Sequence, residues 1–183
     1  MTTTIINNAA SSTITTKGKI RTRGIGKGND ERFSPELSQK IVNATEGFTD
    51  YFIRLLKKQL LPENIENICD YILAIKAERN PSTHHKRNQL QILCYLSEFL
   101  GNQTPFMKMT RDNILSYLNS LRRPEESDRD HKWIGTYNLR KTYIQTFFKW
   151  LYNPNLNPKN RPTPEVMTNI HKLEKRDLNN KAV

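Results

Sequence analysis

Between His131 and Tyr152 the chain reads HKWIGTYNLRKTYIQTFFKWLY, 22 residues in which an aromatic and aliphatic stripe is interleaved with basic side chains. At helical spacing Trp133, Tyr137, Ile144, Phe147, Phe148 and Leu151 fall on one side, while Lys132, Thr136, Arg140 and Lys141 point elsewhere. A segment patterned in this way packs on one side and meets a polyanion with the other. It therefore calls for other helices to cover the stripe, and it makes nucleic acid the first partner to consider.

The covering helices are legible upstream. Ser34-Pro35 opens a helical pattern over 35–45, and a second over 49–60 places Phe52, Leu55, Leu56 and Leu60 on one face. A third helix begins after Pro62, carries Ile65, Ile68, Cys69, Ile72 and Ile75 as its stripe, and ends at Arg79-Asn80-Pro81 because proline disfavours helix in the residue before it. A fourth runs from Ser82 to Leu100 with Ile92, Leu93, Leu96, Phe99 and Leu100 inward, and Gly101-Asn102 as its stop. Thr110 is expected to cap a fifth helix, with Asp112 in the first turn and Ile114, Leu115, Leu118 and Leu121 inward, ending at Arg122-Arg123-Pro124. After the 131–152 helix, Pro154 and Pro158 interrupt the pattern, and a short last helix with Val166, Met167 and Ile170 follows Pro164. Period-two alternation bounded by turn residues is missing, so the expected fold is all-α, a compact bundle of four to six helices.

The chain has 183 residues and a formal charge of +11, which implies an acidic partner. Segment 1–33 is rich in Thr, Asn, Gly and basic residues, and is expected to be a disordered basic arm. Its Gly24, Gly26 and Gly28 lack both the preceding strand and the closing Gly-Lys-Ser/Thr of a phosphate loop, and are read as linker. Residues 81–160 hold twelve basic against six acidic side chains, a larger surplus than the arm carries, so the charge is expected mainly on the helical core. The plainer reading is that these are the solvated faces of amphipathic helices.

No apolar run of about 18 residues is present, nor the apolar centre of a secretory signal, and a cytoplasmic, DNA-associated location is expected without membrane contact. Cys69 and Cys94 sit among aliphatic neighbours and are read as small buried hydrophobes. A zinc site built with His84 and His85 lacks any chelating pair such as Cys-x-x-Cys. No metal, organic cofactor or small-molecule substrate is implied.

Three blocks carry a family resemblance: PENIENICDYILAIKAERN at 62–80, MTRDNILSYLNSLRRPEESD at 109–128, and HKWIGTYNLRKTYIQTFFKWLYNP at 131–154. In their order, residues 62–173 resemble the N-terminal core-binding, SAM-like domain of tyrosine recombinases of the phage-integrase family, in its archaeal form. The resemblance implies a helical half-clamp that grips the sugar-phosphate backbone of duplex DNA during integration and recombination. On this reading residues 34–61 are accessory helices and 174–183 a tail or linker remnant.

The same resemblance sets an expectation against catalysis. The family cleaves DNA with a separate domain carrying arginines, a His-x-x-Arg signature and a nucleophilic tyrosine, and this chain ends where the linker to that domain would begin. His84-His85-Lys86-Arg87 spells His-x-x-Arg but precedes the core-binding helices, and Tyr95, Tyr117, Tyr137 and Tyr143 lie inside helical patterns. Trp133 and Tyr137 are open to use as base-stacking platforms, although their stripe favours packing. The residues expected to meet DNA are Lys86, Arg87, Arg122, Arg123, Lys132, Arg140 and Lys141 through phosphate, and Thr136 and Asn138 through hydrogen bonds. Two other partners remain open: a full-length recombinase or separate catalytic subunit on which the chain docks, and RNA or single-stranded nucleic acid.

Overall fold

The computed structural model describes residues 32–58, 61–124, 126–128 and 130–174. The arm expected over 1–33, save Arg32 and Phe33, its glycine run, and the tail beyond Glu174 lie outside the described residues. Six α-helices form the described part: α1 (Pro35–Ala44), α2 (Asp50–Lys57), α3 (Pro62–Arg79), α4 (Thr83–Phe99), α5 (Arg111–Asn119) and α6 (Lys132–Tyr152). Two 3-10 turns, Phe106–Lys108 and Glu165–Met167, complete them, and no strand occurs among the described residues.

Local chemistry sets most of the helix ends. Ser34 Oγ accepts the Leu37 N–H at 3.2 Å and Ser82 Oγ that of His85 at 3.3 Å, so each serine satisfies one amide that the first turn leaves without a partner. Thr110 and Asn113 close a reciprocal capping box at the start of α5. At the end of α4 the Asn102 N–H reaches Ser97 O and the Gly101 N–H reaches Glu98 O, with Gly101 at φ +70°, the double closure that glycine makes without steric cost. The last predicted helix shrinks to the turn Glu165–Met167, in a segment with prolines at 154, 158, 162 and 164.

The core lies where α3, α4 and α6 meet. All five residues of the α3 stripe are buried, and from α6 Tyr137, Ile144, Phe147 and Phe148 join them, with Trp133 and Leu151 half-buried at the margin. Phe147 is the centre of an edge-to-face aromatic cluster, its ring centroid 4.9 Å from Phe106, 5.3 Å from Tyr71 and 5.3 Å from Phe148. The helices expected as accessory pack on the same body, α1 along α3 and α2 along α4. Phe99 departs from expectation: 45% exposed, it lies edge-on to Tyr117 at 5.6 Å, while Leu96 and Leu100 keep that turn of α4 against the core.

Two polar anchors hold the loops. Buried Asn64 donates to Ser97 Oγ and Thr104 O, each at 3.1 Å, and accepts the Phe106 N–H at 2.9 Å, which draws the 101–106 loop inward and seats Phe106. Arg161 is buried and pairs with Glu78 of α3, while its Nε and Nη2 donate to Asn153 O and Pro154 O at 3.0 Å each. That anchor returns the chain after α6 to the body, so that 161–174 runs back over α5 and α6 as a strap. Along it Val166, Met167 and Ile170 are buried, and Arg111 Nε donates to Thr168 O at 2.9 Å.

Candidate nucleic-acid interface

α6 is the helix on which most of the expected contacts sit, and its 21 residues contain four cations and no carboxylate. Its outward ridge is formed by Gly135, Leu139, Thr142 and Thr146, spaced three and four residues apart and therefore aligned. Thr142 and Thr146 donate their hydroxyls to the carbonyls of Asn138 and Thr142 at 2.8 and 2.9 Å, which leaves the oxygen lone pairs facing outward. Between Gly135 and Thr146 the ridge bears no charge, and exposed Lys132 stands at its N-terminal end. Cations and amides lie along both of its sides.

On the α4 side, an open groove is lined by Asn88, Gln91, Tyr95, Thr136, Leu139 and Arg140. Arg140 crosses its floor: Nη1 donates to Tyr117 Oη at 2.7 Å, and Cζ lies 5.5 Å from the Tyr95 ring centroid and 5.7 Å from that of Tyr117. Gln91 donates to Tyr95 Oη at 2.8 Å, and Tyr51 of α2 meets the same hydroxyl at 3.2 Å. Burial raises the Tyr117 phenol above its ordinary value, with Arg140 pulling the other way. Asn88, Gln91 and Tyr95 line this groove beyond the residues expected from sequence, since nothing in α4 alone shows that α6 approaches on that side.

On the strap side lie Asn138, Lys141, Gln145 and Lys149. Here the expected face is corrected. Lys141 is only 8% exposed, its Nζ donating to Gln145 Oε1 at 2.7 Å, because position 141 falls between the buried residues 137, 144 and 148 and the strap. Burial lowers its pKa, and the neighbouring charges of Lys172 and Lys149 lower it further. Asn138 is likewise engaged: its amide donates to Leu173 O and its carbonyl accepts the Leu173 N–H, both at 2.8 Å, so it clasps the strap.

The remaining expected residues are spread over other parts of the surface. Arg87 donates to Gly47 O and lies over the rings of Phe48 and Phe52, so the arginine of the His-x-x-Arg sequence fastens the turn between α1 and α2. Lys86 is 9% exposed in the first turns of α4. His85 packs edge-on against Tyr143 at 5.1 Å, and burial, with Arg79 and His84 nearby, lowers its pKa. Arg122 lies over the Trp133 ring at 5.8 Å, and Arg123 is exposed. Lys132 pairs with Asp130 at 3.0 Å on the surface, and Thr136 is exposed on the groove wall.

No three His, Cys, Asp or Glu side chains group as a metal site among the described residues, and no described helix is long and apolar enough to cross a membrane. Cys69 and Cys94 are buried, which pushes the Cys69 thiol up to about 12 and that of Cys94 upward as well. Comparison with protein-family models, with curated proteins and with solved structures gives no match.

Proposed function

We propose that the chain binds duplex DNA, presenting the outward ridge of α6 to a groove and its flanks to the phosphates on either side. The observation that carries this reading is the charge pattern of α6, four cations and no carboxylate in 21 residues, around a ridge of small, uncharged and hydroxyl-bearing side chains. A helix with its side chains is roughly 10–12 Å across and the major groove about 12 Å wide, so α6 is of a size to lie in it with this ridge toward the bases. Thr136 and the threonines of the ridge offer uncharged hydrogen-bonding groups, and the cations supply salt-dependent attraction to phosphate.

The resemblance of residues 62–173 to the core-binding domain of tyrosine recombinases supports the same reading. It adds the context of a half-clamp acting in integration or recombination beside a catalytic domain. In that context residues 62–173 contribute grip, and strand cleavage belongs to the catalytic domain. A second reading, docking on a recombinase, is favoured by Tyr51, Phe99 and Leu139, which are 47%, 45% and 49% exposed.

A labelled duplex bound by the chain and challenged with unlabelled competitors tests the proposal. Duplex competitor displaces it and single strand of equal length does so weakly. Preferential displacement by single strand or RNA contradicts it, and capture of an intact recombinase without any duplex affinity favours the second reading.

A further inference from the structure

Resting on the duplex-binding reading, we infer that Lys141, Lys149 and the strap residue Lys172 form one phosphate-binding site on the strap flank of α6, positioned by the clasp between Asn138 and Leu173. Asn138, Lys141, Gln145 and Lys149 are spaced three, four and four residues apart, which places them in one row along the helix. The strap is tied to that row at two points, Leu173 at Asn138 by paired 2.8 Å hydrogen bonds, and Thr163 at Gln145 by one of 3.2 Å. It therefore runs antiparallel to the row and brings Lys172, one residue from the clasp, beside Lys141.

Among the described residues no carboxylate pairs with this cluster: Glu165 and Glu174 of the strap form no ion pair with the three lysines, and the polar partner of Lys141 Nζ there is the neutral Gln145. Lys141 feels the like charges of Lys172 and Lys149, and the clasp fixes the strap that carries Lys172 beside α6 despite that repulsion. A phosphodiester oxygen brought to the cluster relieves that repulsion, and the hydroxyls of Thr142 and Thr146 stand beside the row as further contacts.

The clasp gives Asn138 a positioning role, acting on phosphate through Lys172. This assigns the return strap to the interface, a contribution that the helix pattern alone does not show.

The experiment measures duplex affinity across a salt series for the full chain and for Lys149→Ala, Lys172→Ala, Asn138→Ala and the Asn138→Ala/Lys172→Ala pair, with Arg54→Ala on α2 as an equal loss of charge elsewhere. Each lysine variant is expected to flatten the slope of log affinity against log salt by about 0.9, the value for one phosphate contact. Asn138→Ala is expected to lose part of the Lys172 effect, and the pair to lose no more than Lys172→Ala alone, since both act through one ammonium. Unchanged slopes for the lysine variants, or an equal change in Arg54→Ala, overturn the assignment while leaving duplex binding intact. Failure of the unaltered chain to bind duplex overturns the function on which it rests.

Discussion

Arg140 and Lys141 are neighbours in sequence but straddle the buried face of α6. Arg140 runs across the groove floor to Tyr117 Oη at 2.7 Å, and Lys141 turns to Gln145 Oε1 at 2.7 Å under the strap. One residue of helix is a rotation of about 100°, enough to separate two side chains expected to act together. Their substitution should therefore have different consequences.

Arg140 bridges Tyr95 of α4 and Tyr117 of α5, and Tyr117 is 2% exposed. Arg140→Ala removes two cation–π contacts and the hydrogen bond of a buried phenol, and is expected to cost about 1–3 kcal/mol. Thermal denaturation checks this. Arg140→Lys should recover little, because a point ammonium does not span both rings as a planar guanidinium does. A thermal midpoint unchanged in Arg140→Ala would mean that the arginine is held for DNA alone.

Lys141 is covered and lies near two like charges, so its ammonium opposes folding. Lys141→Met keeps the stem volume and removes the charge. The variant is expected to melt at the same or a higher temperature and to bind duplex more weakly, the pattern of a residue retained for function at the expense of stability. A lower midpoint with unaltered affinity would make it a structural lysine.

The start of α6 predicts a pH dependence. The Asp128 carboxylate accepts the N–H groups of Lys132 and Trp133 at 3.1 and 3.0 Å, and these bonds, helped by the charges of Lys132 and Arg123, hold its pKa below the ordinary value. A depressed carboxyl pKa adds stability above the unfolded value and loses it as pH falls through the folded one. Asp128→Ala should therefore lower the melting temperature at pH 7, and the difference from the unaltered chain should shrink on acidification below the usual carboxylate range. A difference constant with pH would contradict the cap.

The Arg161 anchor sets the strap. Arg161→Met leaves Glu78 and the carbonyls of Asn153 and Pro154 without their partner, and is expected to cost about 3–5 kcal/mol. Amide exchange should speed first at Leu173 and Ile170, where the strap is held by the Asn138 clasp and by burial. Exchange confined to α3 would place the anchor's effect elsewhere.

The six helices were legible because their signals are local: a serine cap before α1 and α4, a capping box at α5, proline after α3, and glycine after α4. The α3 stripe was legible for the same reason, five apolar residues at helical spacing. Phe106 was hidden because its burial depends on Asn64, 42 residues away in sequence. Asp128 was hidden as well: it lies in a run of acidic and basic residues that resembles any polar loop, and only the backbone turn at His131, φ 47°, brings its carboxylate onto the amides of α6. The residue types of the candidate site come from composition, which carries no geometry. Arg87 and Asn138 belong to the expected residue types, but each is held by a partner from a distant segment, Gly47 and Leu173, and Lys141 is covered, which a helical period does not reveal.

The most direct measurement is fluorescence anisotropy of a labelled duplex with the unaltered chain, taken across about 50–200 mM salt. The account predicts binding at low salt whose log affinity falls linearly with log salt, by about 0.9 for each phosphate neutralised, and a slope of at least two contacts from α6 and its strap. A flat response, or no binding at low salt, would contradict it.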